Sequence, residues 1–241
     1  MKLMVFVTLA LVACLYSPLA QSTQPMASGP TLQRIDPDKI CVTNGVVSTL
    51  RDGRLAIETP SSRAIIREVT AQSAEIRFRY LGPSKLSKPL ASGELRRQIG
   101  LKLRAQDTCN LLYAMWHIEP DSRIAVSIKR NAGKHTHQEC DAHGYVNIKP
   151  RRSVEMPKIH PGESHALRAE LRGNDLTIVA DRRVVWEGEL GEEISEIDGP
   201  VGFRTDNARF EFEYYADRVD SEAKSRKFDE SVSPCLSSPG D

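Results

Sequence analysis

The chain carries no excess of either charge: 33 Lys and Arg stand against 32 Asp and Glu, a formal net charge of +1. No global field therefore draws in nucleic acid, and any electrostatic preference has to come from local patterning. It has no Cys-x-x-Cys pair, so the usual spacing of a zinc ribbon or a redox dithiol is missing. Its N-terminal apolar run, Leu3–Ala13, falls short of the ~20 residues that a spanning helix needs, and Pro18 follows it. No amphipathic helix is legible before the C-terminal tail, and no internal repeat is visible. What remains, at 241 residues and 40% apolar content, is enough chain to bury one large core.

The first residues, "MKLMVFVTLALVAC", place Lys2 before the apolar run and read as an export signal within residues 1–20. "LVAC" is similar to a bacterial lipobox, which implies lipidation of Cys14 and a membrane anchor. Ordinary cleavage near "SPLAQS" is the alternative, and both deliver the chain to the cell envelope or beyond it. Residues 21–38 are rich in Ser, Pro and Gln and read as a tether, and 218–241 as a polar tail. In an oxidising compartment the four remaining cysteines form two disulfides more readily than a zinc site. Three pairings exist. Cys41 with Cys235 is preferred because both flank the expected core, which leaves Cys109 with Cys140.

Between the ends, apolar residues recur with period two. "AEIRFRYL" (74–81) alternates Ile76, Phe78 and Tyr80 with charged residues; "RQIGLKLRA" (97–105) does the same with Ile99, Leu101 and Leu103. "NLLYAMWHI" (110–118) and "RIAVSIKR" (123–130) continue the series across an "EPDS" turn, and 165–190 reads as three strands with tight turns at Gly173–Asp175 and Asp181–Arg183. With weaker candidates at 45–50, 54–59 and 63–69, ten or more strands are expected, hence an all-β antiparallel sandwich over 39–217.

The closing segments, "LTIVADRRVVWEGEL", a "GPVGFRTDN" turn and the strand "ARFEFEYYA", resemble the concanavalin A-like lectin and glucanase superfamily, including its laminin-G-type and keto-glycoside-hydrolase-type jelly rolls. The resemblance covers roughly residues 40–217 and is one of architecture. It implies glycan binding or glycan cleavage on a concave sheet, often with a structural calcium; no other cofactor is expected. The Glu-x-Asp-x-Glu strand of laminarinase-type members, which sets its carboxylates on one face, is absent. The nearest approach, Glu196 and Asp198 in "EEISEID", reads as a solvated loop.

Counting from the apolar positions, the polar faces of the middle strands carry Arg77, Arg79, Lys102, Arg104, Tyr113, His117 and Lys129. Such a face suits a polysaccharide, an acidic one above all, because arginine holds a carboxylate through two parallel hydrogen bonds. A lyase reading uses His117 and Tyr113 as acid and base with Arg104 as the neutralising cation. "SGELRRQIG" resembles a segment of alginate lyases, but Gly93 interrupts it and Gly100 stands where a histidine belongs. "KHTHQECDAHGY" (134–145) offers His135, His137, Asp141 and His143 to a metal, although a polar loop pinned by Cys140 fits it better. The expected function is an exported glycan-binding protein, anchored in the membrane and noncatalytic. A polysaccharide lyase or hydrolase-like enzyme and a structural envelope protein without ligand are the alternatives.

Overall fold

A computed structural model describes residues 31–67 and 69–217. The signal segment, Cys14, Cys235 and the polar tail lie outside those residues. Among the described residues the chain forms sixteen strands in order: β1 (Gln33–Arg34), β2 (Ile40–Asn44), β3 (Ser48–Thr49), β4 (Leu55–Ile57), β5 (Ser61–Ile66), β6 (Ser73–Pro83), β7 (Arg97–Leu103), β8 (Leu111–Glu119), β9 (Arg123–Lys129), β10 (Tyr145–Asn147), β11 (Arg152–Ser153), β12 (Ser164–Arg172), β13 (Asp175–Ala180), β14 (Arg183–Glu189), β15 (Gly202–Asp206) and β16 (Ala208–Ala216). One α-helical turn, α1 (His137–Cys140), and two 3-10 turns, Pro37–Lys39 and Glu192–Glu196, interrupt them.

The strands make two antiparallel sheets, as the alternation requires. One has nine strands, β11-β14-β13-β12-β6-β16-β4-β3 with β1 added along β16; the other has seven, β10-β9-β8-β7-β15-β5-β2. Every position expected to face inward does so: Ile76, Phe78, Ile99, Leu101, Leu103, Leu112, Trp116, Ile118, Ile124 and Val126 all belong to the core. Aromatic side chains lock the layers together. Phe78 meets Trp116 edge-on at 5.8 Å, and Phe203 meets Phe212 at 5.0 Å, contacts that add ~0.5–1.5 kcal/mol each beyond the area they bury.

The β13–β14 hairpin turns on Asp181 and Arg182, at φ 48° and 67°, the left-handed pair that matches the twist of its strands. The Asp181 carboxylate fixes that turn by accepting the Ala166 N–H at 2.8 Å. Residues assigned to the tether take part in the sandwich: β1 pairs with β16, and Ile35 is buried in the core. Cys109 and Cys140 are joined as expected. Cys41 is buried in β2 and is not a free thiol, while its expected partner Cys235 is outside the described residues.

The segment 199–216 departs from its reading as a turn and one strand. "GFRTD" is itself a strand, β15, inserted between β7 and β5, and the chain then crosses to the other sheet as β16. Asn207 alone makes the crossing, at φ 54°. Its buried side-chain amide accepts the Lys88 N–H at 2.7 Å and donates to Lys88 O at 2.9 Å and Arg96 O at 3.1 Å. Replacing Asn207 by Ala removes these bonds and strains a left-handed residue, so stability should fall by about 2–4 kcal/mol in chemical denaturation. Asn207→Gly keeps the backbone freedom and should fall between the two.

Candidate functional site

Alternation turns every second side chain of the seven-stranded sheet away from the core, and the register sorts those side chains into rungs. Gly202, Lys102, Tyr113 and Ser127 are neighbours across β15, β7, β8 and β9. Two residues along the strands lie Arg63, Arg204, Gly100, Met115 and Ala125; two further, Ser61, Asp206, Gln98, His117 and Arg123. On the opposite side of the Lys102 rung, Lys129 stands between Leu111 and Tyr145.

These rungs floor a groove with a cavity volume of about 1790 Å³. One wall is the segment 88–96, held by the Asn207 amide. The other combines residues 106–108 with 135–142 and is fastened by the Cys109–Cys140 disulfide. The histidine-rich stretch is thus a wall. Glu139 accepts from His135 N, Thr136 N and Thr136 Oγ1, and those hydrogen bonds hold its carboxyl down at about 2. His135 Nδ1 pairs with Asp107 at 2.9 Å, and His137 approaches Asp141 only to 3.9 Å. Among the described residues no group of three or more His, Cys, Asp or Glu is placed to hold a metal ion. His135, His137, Asp141 and His143 do not converge.

Cations outnumber carboxylates along the groove, whose walls and rim also carry Asp107, Asp141, Glu196 and Asp198. Arg63, Arg96, Lys102, Arg123, Lys129 and Arg204 all line it. Arg204 is paired: its Nε donates to Asp206 at 2.7 Å, and Asp206 also accepts from Gln98 Nε2 at 2.6 Å. Burial alone would lower the Arg204 guanidinium, but the Asp206 carboxylate and the Tyr113 hydroxyl hold its pKa above the ordinary arginine value. The guanidinium lies 5.4 Å from the Tyr113 ring centre, and Tyr113 stacks on Tyr145 at 6.1 Å. Loss of solvent and the Tyr113 hydroxyl push the Tyr145 hydroxyl up to about 12. Arg96 pairs with Glu94. Among the described residues, Arg63, Lys102, Arg123 and Lys129 form no ion pair with a carboxylate.

Two of these groups are pressed toward neutrality. His117 is buried, and burial, then Arg96, Arg123 and Arg204, lowers its pKa to about 3. Arg96 Nη1 lies 3.3 Å from its Nε2, and Arg123 Nε donates to its Nδ1 at 3.2 Å. A neutral imidazole has only one acceptor nitrogen, so His117 can accept from only one of the two arginines; Arg96 is also paired with Glu94, and Arg123 is exposed. Lys102 is 5% exposed. Burial first, then Arg63 and Arg204, lowers its pKa well below the usual lysine value against the opposing pull of Asp206.

Four predicted residues, Lys102, Tyr113, His117 and Lys129, therefore meet in one place. Three others lie elsewhere. Arg77 and Arg79 lie on β6 in the nine-stranded sheet, Arg77 over the Tyr215 ring and Arg79 donating to Gly162 O. They alternate as Lys102 does, but on a strand of the opposite layer. Arg104 leaves the strand at φ 49° and donates to Ile194 O at 2.7 Å, so it braces a loop and does not join Tyr113 and His117 as the lyase cation. Glu196 pairs with Arg130 and Asp198 caps Gly199 at the groove rim. Arg63, Gln98, Arg96, Arg123, Tyr145, Arg204 and Asp206 escaped the sequence reading, although period two counted from Phe203 sets Arg204 and Asp206 outward.

No protein-family model matches the chain, and no curated protein matches its sequence. Its structure is similar to the carbohydrate-binding module CBM66 from Bacillus subtilis, at 16% identity and a TM-score of 0.50, over 78% of this chain and 96% of that one. A laminarinase catalytic domain from Thermotoga petrophila aligns at 11% identity and a TM-score of 0.46, over 78% and 97% of the two chains. The fold is the concanavalin A-like jelly roll.

The shifted groups fix the pH dependence of stability. Lys102 has a folded pKa below its unfolded 10.5, so the unfolded chain binds more protons; it subtracts stability at neutral pH, and the loss fades as pH rises toward 10.5. Lys102→Met should be more stable than the wild type at pH 7, with the gap closing by pH 10.5, in urea titrations. His117, at about 3 folded against 6.5 unfolded, loses stability as pH falls between those values. His117→Gln should flatten that part of the curve.

Proposed function

We propose that the chain is a noncatalytic module that binds an acidic polysaccharide in the groove of the seven-stranded sheet. The observation that carries this reading is a charge imbalance around an aromatic platform. Three cations without carboxylate partners, Arg63, Lys102 and Lys129, stand about the stacked Tyr113 and Tyr145, a fourth, Arg123, lies further along beside His117, and the carboxylate on these rungs, Asp206, is already taken by Arg204 and Gln98. Guanidinium groups hold sugar carboxylates through paired hydrogen bonds, and tyrosine rings offer an apolar face to the sugar between them. The fold alone does not carry function. Export, with lipidation at Cys14, belongs to the same proposal on the strength of residues 1–20.

Elimination chemistry fits the geometry less well. Tyr113 and His117 are four residues apart on one strand face, about 13 Å along it, too far to serve as acid and base on adjacent sugar carbons. His117 is also already held between two arginines.

A soluble polyuronate should bind and a neutral glucan should not, with Arg63→Ala and Tyr113→Ala each weakening binding by about tenfold, the scale of one charged or stacked contact. Raising salt to about 1 M, where the Debye length is near 3 Å, should weaken it further. Equal binding of neutral and acidic glycans, or binding of neither, refutes the reading. A rise in the ultraviolet absorbance of unsaturated product during incubation would make the protein a lyase instead. For the anchor, Cys14→Ser should move the protein out of the membrane fraction.

A further inference from the structure

We propose that Lys102 is the counter-ion of a sugar carboxylate entering the groove, and that its amine gains a proton as the carboxylate arrives. The proposal rests on the glycan-binding reading above and adds the position of the anion and a coupling to pH. Two lysines of the sheet are buried to a similar degree, Lys102 at 5% and Lys129 at 2% exposed, and their surroundings differ. Lys129 Nζ donates to Asp141 O at 2.6 Å and Thr108 O at 3.1 Å, so it is a brace for the wall. Lys102 Nζ has no hydrogen-bond acceptor among the described residues, although its side chain lines the groove. A cation in a largely dehydrated place without a partner is expensive, and burial lowers the Lys102 pKa well below the usual lysine value.

The groups around it come from every neighbouring strand. On β7 itself the outward residues are Gln98 and Gly100, which carry no charge. Strand β8 contributes Tyr113 directly opposite and His117 further along; β5 contributes Arg63; β15 contributes Arg204 and Asp206; β9 and β10 contribute Lys129 and Tyr145. Arg63, Arg204 and Lys129 are like charges, and Asp206 is occupied by Arg204 and Gln98. A carboxylate set among Lys102, Arg63 and Arg204 supplies the missing acceptor and reverses the local field. The ammonium form is then favoured. The new N–H bond takes its proton from the buffer, and no bond of the sugar is made or broken. Binding should therefore tighten as pH falls, by up to tenfold per pH unit while the free amine is neutral and the bound one is charged.

Calorimetric titration of the full chain with an oligo-uronate, in phosphate and in Tris at the same pH, reads the protons exchanged from the difference in heat. The expected result is uptake of up to one proton per site, with affinity falling as pH rises from 7 to 9. Lys102→Met should remain folded, lose the uptake and bind at least tenfold more weakly. Lys102→Arg, charged at every pH used, should bind without uptake and with a flat pH profile, while His117→Gln should leave the uptake intact. Polyuronate binding without proton exchange, or uptake that survives Lys102→Met and disappears in His117→Gln, overturns this inference and leaves the binding reading standing. A sulfated oligosaccharide that binds more tightly than the uronate overturns the carboxylate assignment. Failure of every acidic glycan to bind overturns both readings.

Discussion

Strand β8 is buried on both faces from Leu111 to Ile118, and most of the chemistry of the groove follows from that. Inward, Leu112, Ala114, Trp116 and Ile118 press on the other sheet. Outward, Leu111, Tyr113 and Met115 form a second apolar cluster with Cys41, Ile65 and Ala105, and His117 sits at the end of the same row. A polar group in such a place keeps its charge only if a partner holds it there. Three groups show three outcomes. Arg204 has Asp206, which holds its pKa up; His117 has arginines beside it, and its pKa falls to about 3; Lys102, with no acceptor among the described residues, is pushed toward neutrality.

The walls that exclude water are built from residues that also define the fold. Asn207 is the point where the chain leaves one sheet for the other, and the same amide holds Lys88 and Arg96 at the groove edge. Across from it the Cys109–Cys140 bond, the Lys129 ammonium and the capped turn at Thr136 and Glu139 secure a wall with little regular structure of its own. Loosening either wall would let water reach β8, and the pKa values of His117 and Lys102 would move back toward ordinary ones. Fold and site are therefore not separable at these positions.

How far the sequence could be read depended on what period two encodes. It states which side of its own strand a residue occupies, so the core positions from Ile76 to Val126 were legible. It does not state which sheet the strand joins. Arg77 and Arg79 look identical in pattern to Lys102 and end in the opposite layer, because β6 pairs with β12 and β16 while β7 pairs with β8 and β15. Strand β15 was hidden for another reason: Gly199 and Pro200 before it and Asp206 and Asn207 after it carry the composition of a turn, and Arg204 was lost with it. Arg104 looked like the next outward residue of β7, but its left-handed backbone turns it toward Ile194. The Cys109–Cys140 disulfide was readable as a remainder, once Cys41 and Cys235 were paired because they flank the core.

A buried cation that subtracts stability needs an explanation other than stability. A structural role would require an acceptor, as Lys129 has in the Asp141 and Thr108 carbonyls, and packing alone would be served as well by methionine, which carries the same length without the charge. Surface snorkelling does not describe it either, since Lys102 stands on the Tyr113 rung in the floor of the groove rather than at a rim. Departures from local consistency concentrate where a site is prepared for something absent from the free protein. Here the buried Gln98 Oε1, which has no hydrogen-bond partner, faces the same groove two rungs from Lys102 on the same strand. A donor at Lys102 and an acceptor at Gln98, both unmatched on one strand, are more simply the two halves of contacts to one ligand that carries a carboxylate and hydroxyls than two separate imperfections of packing.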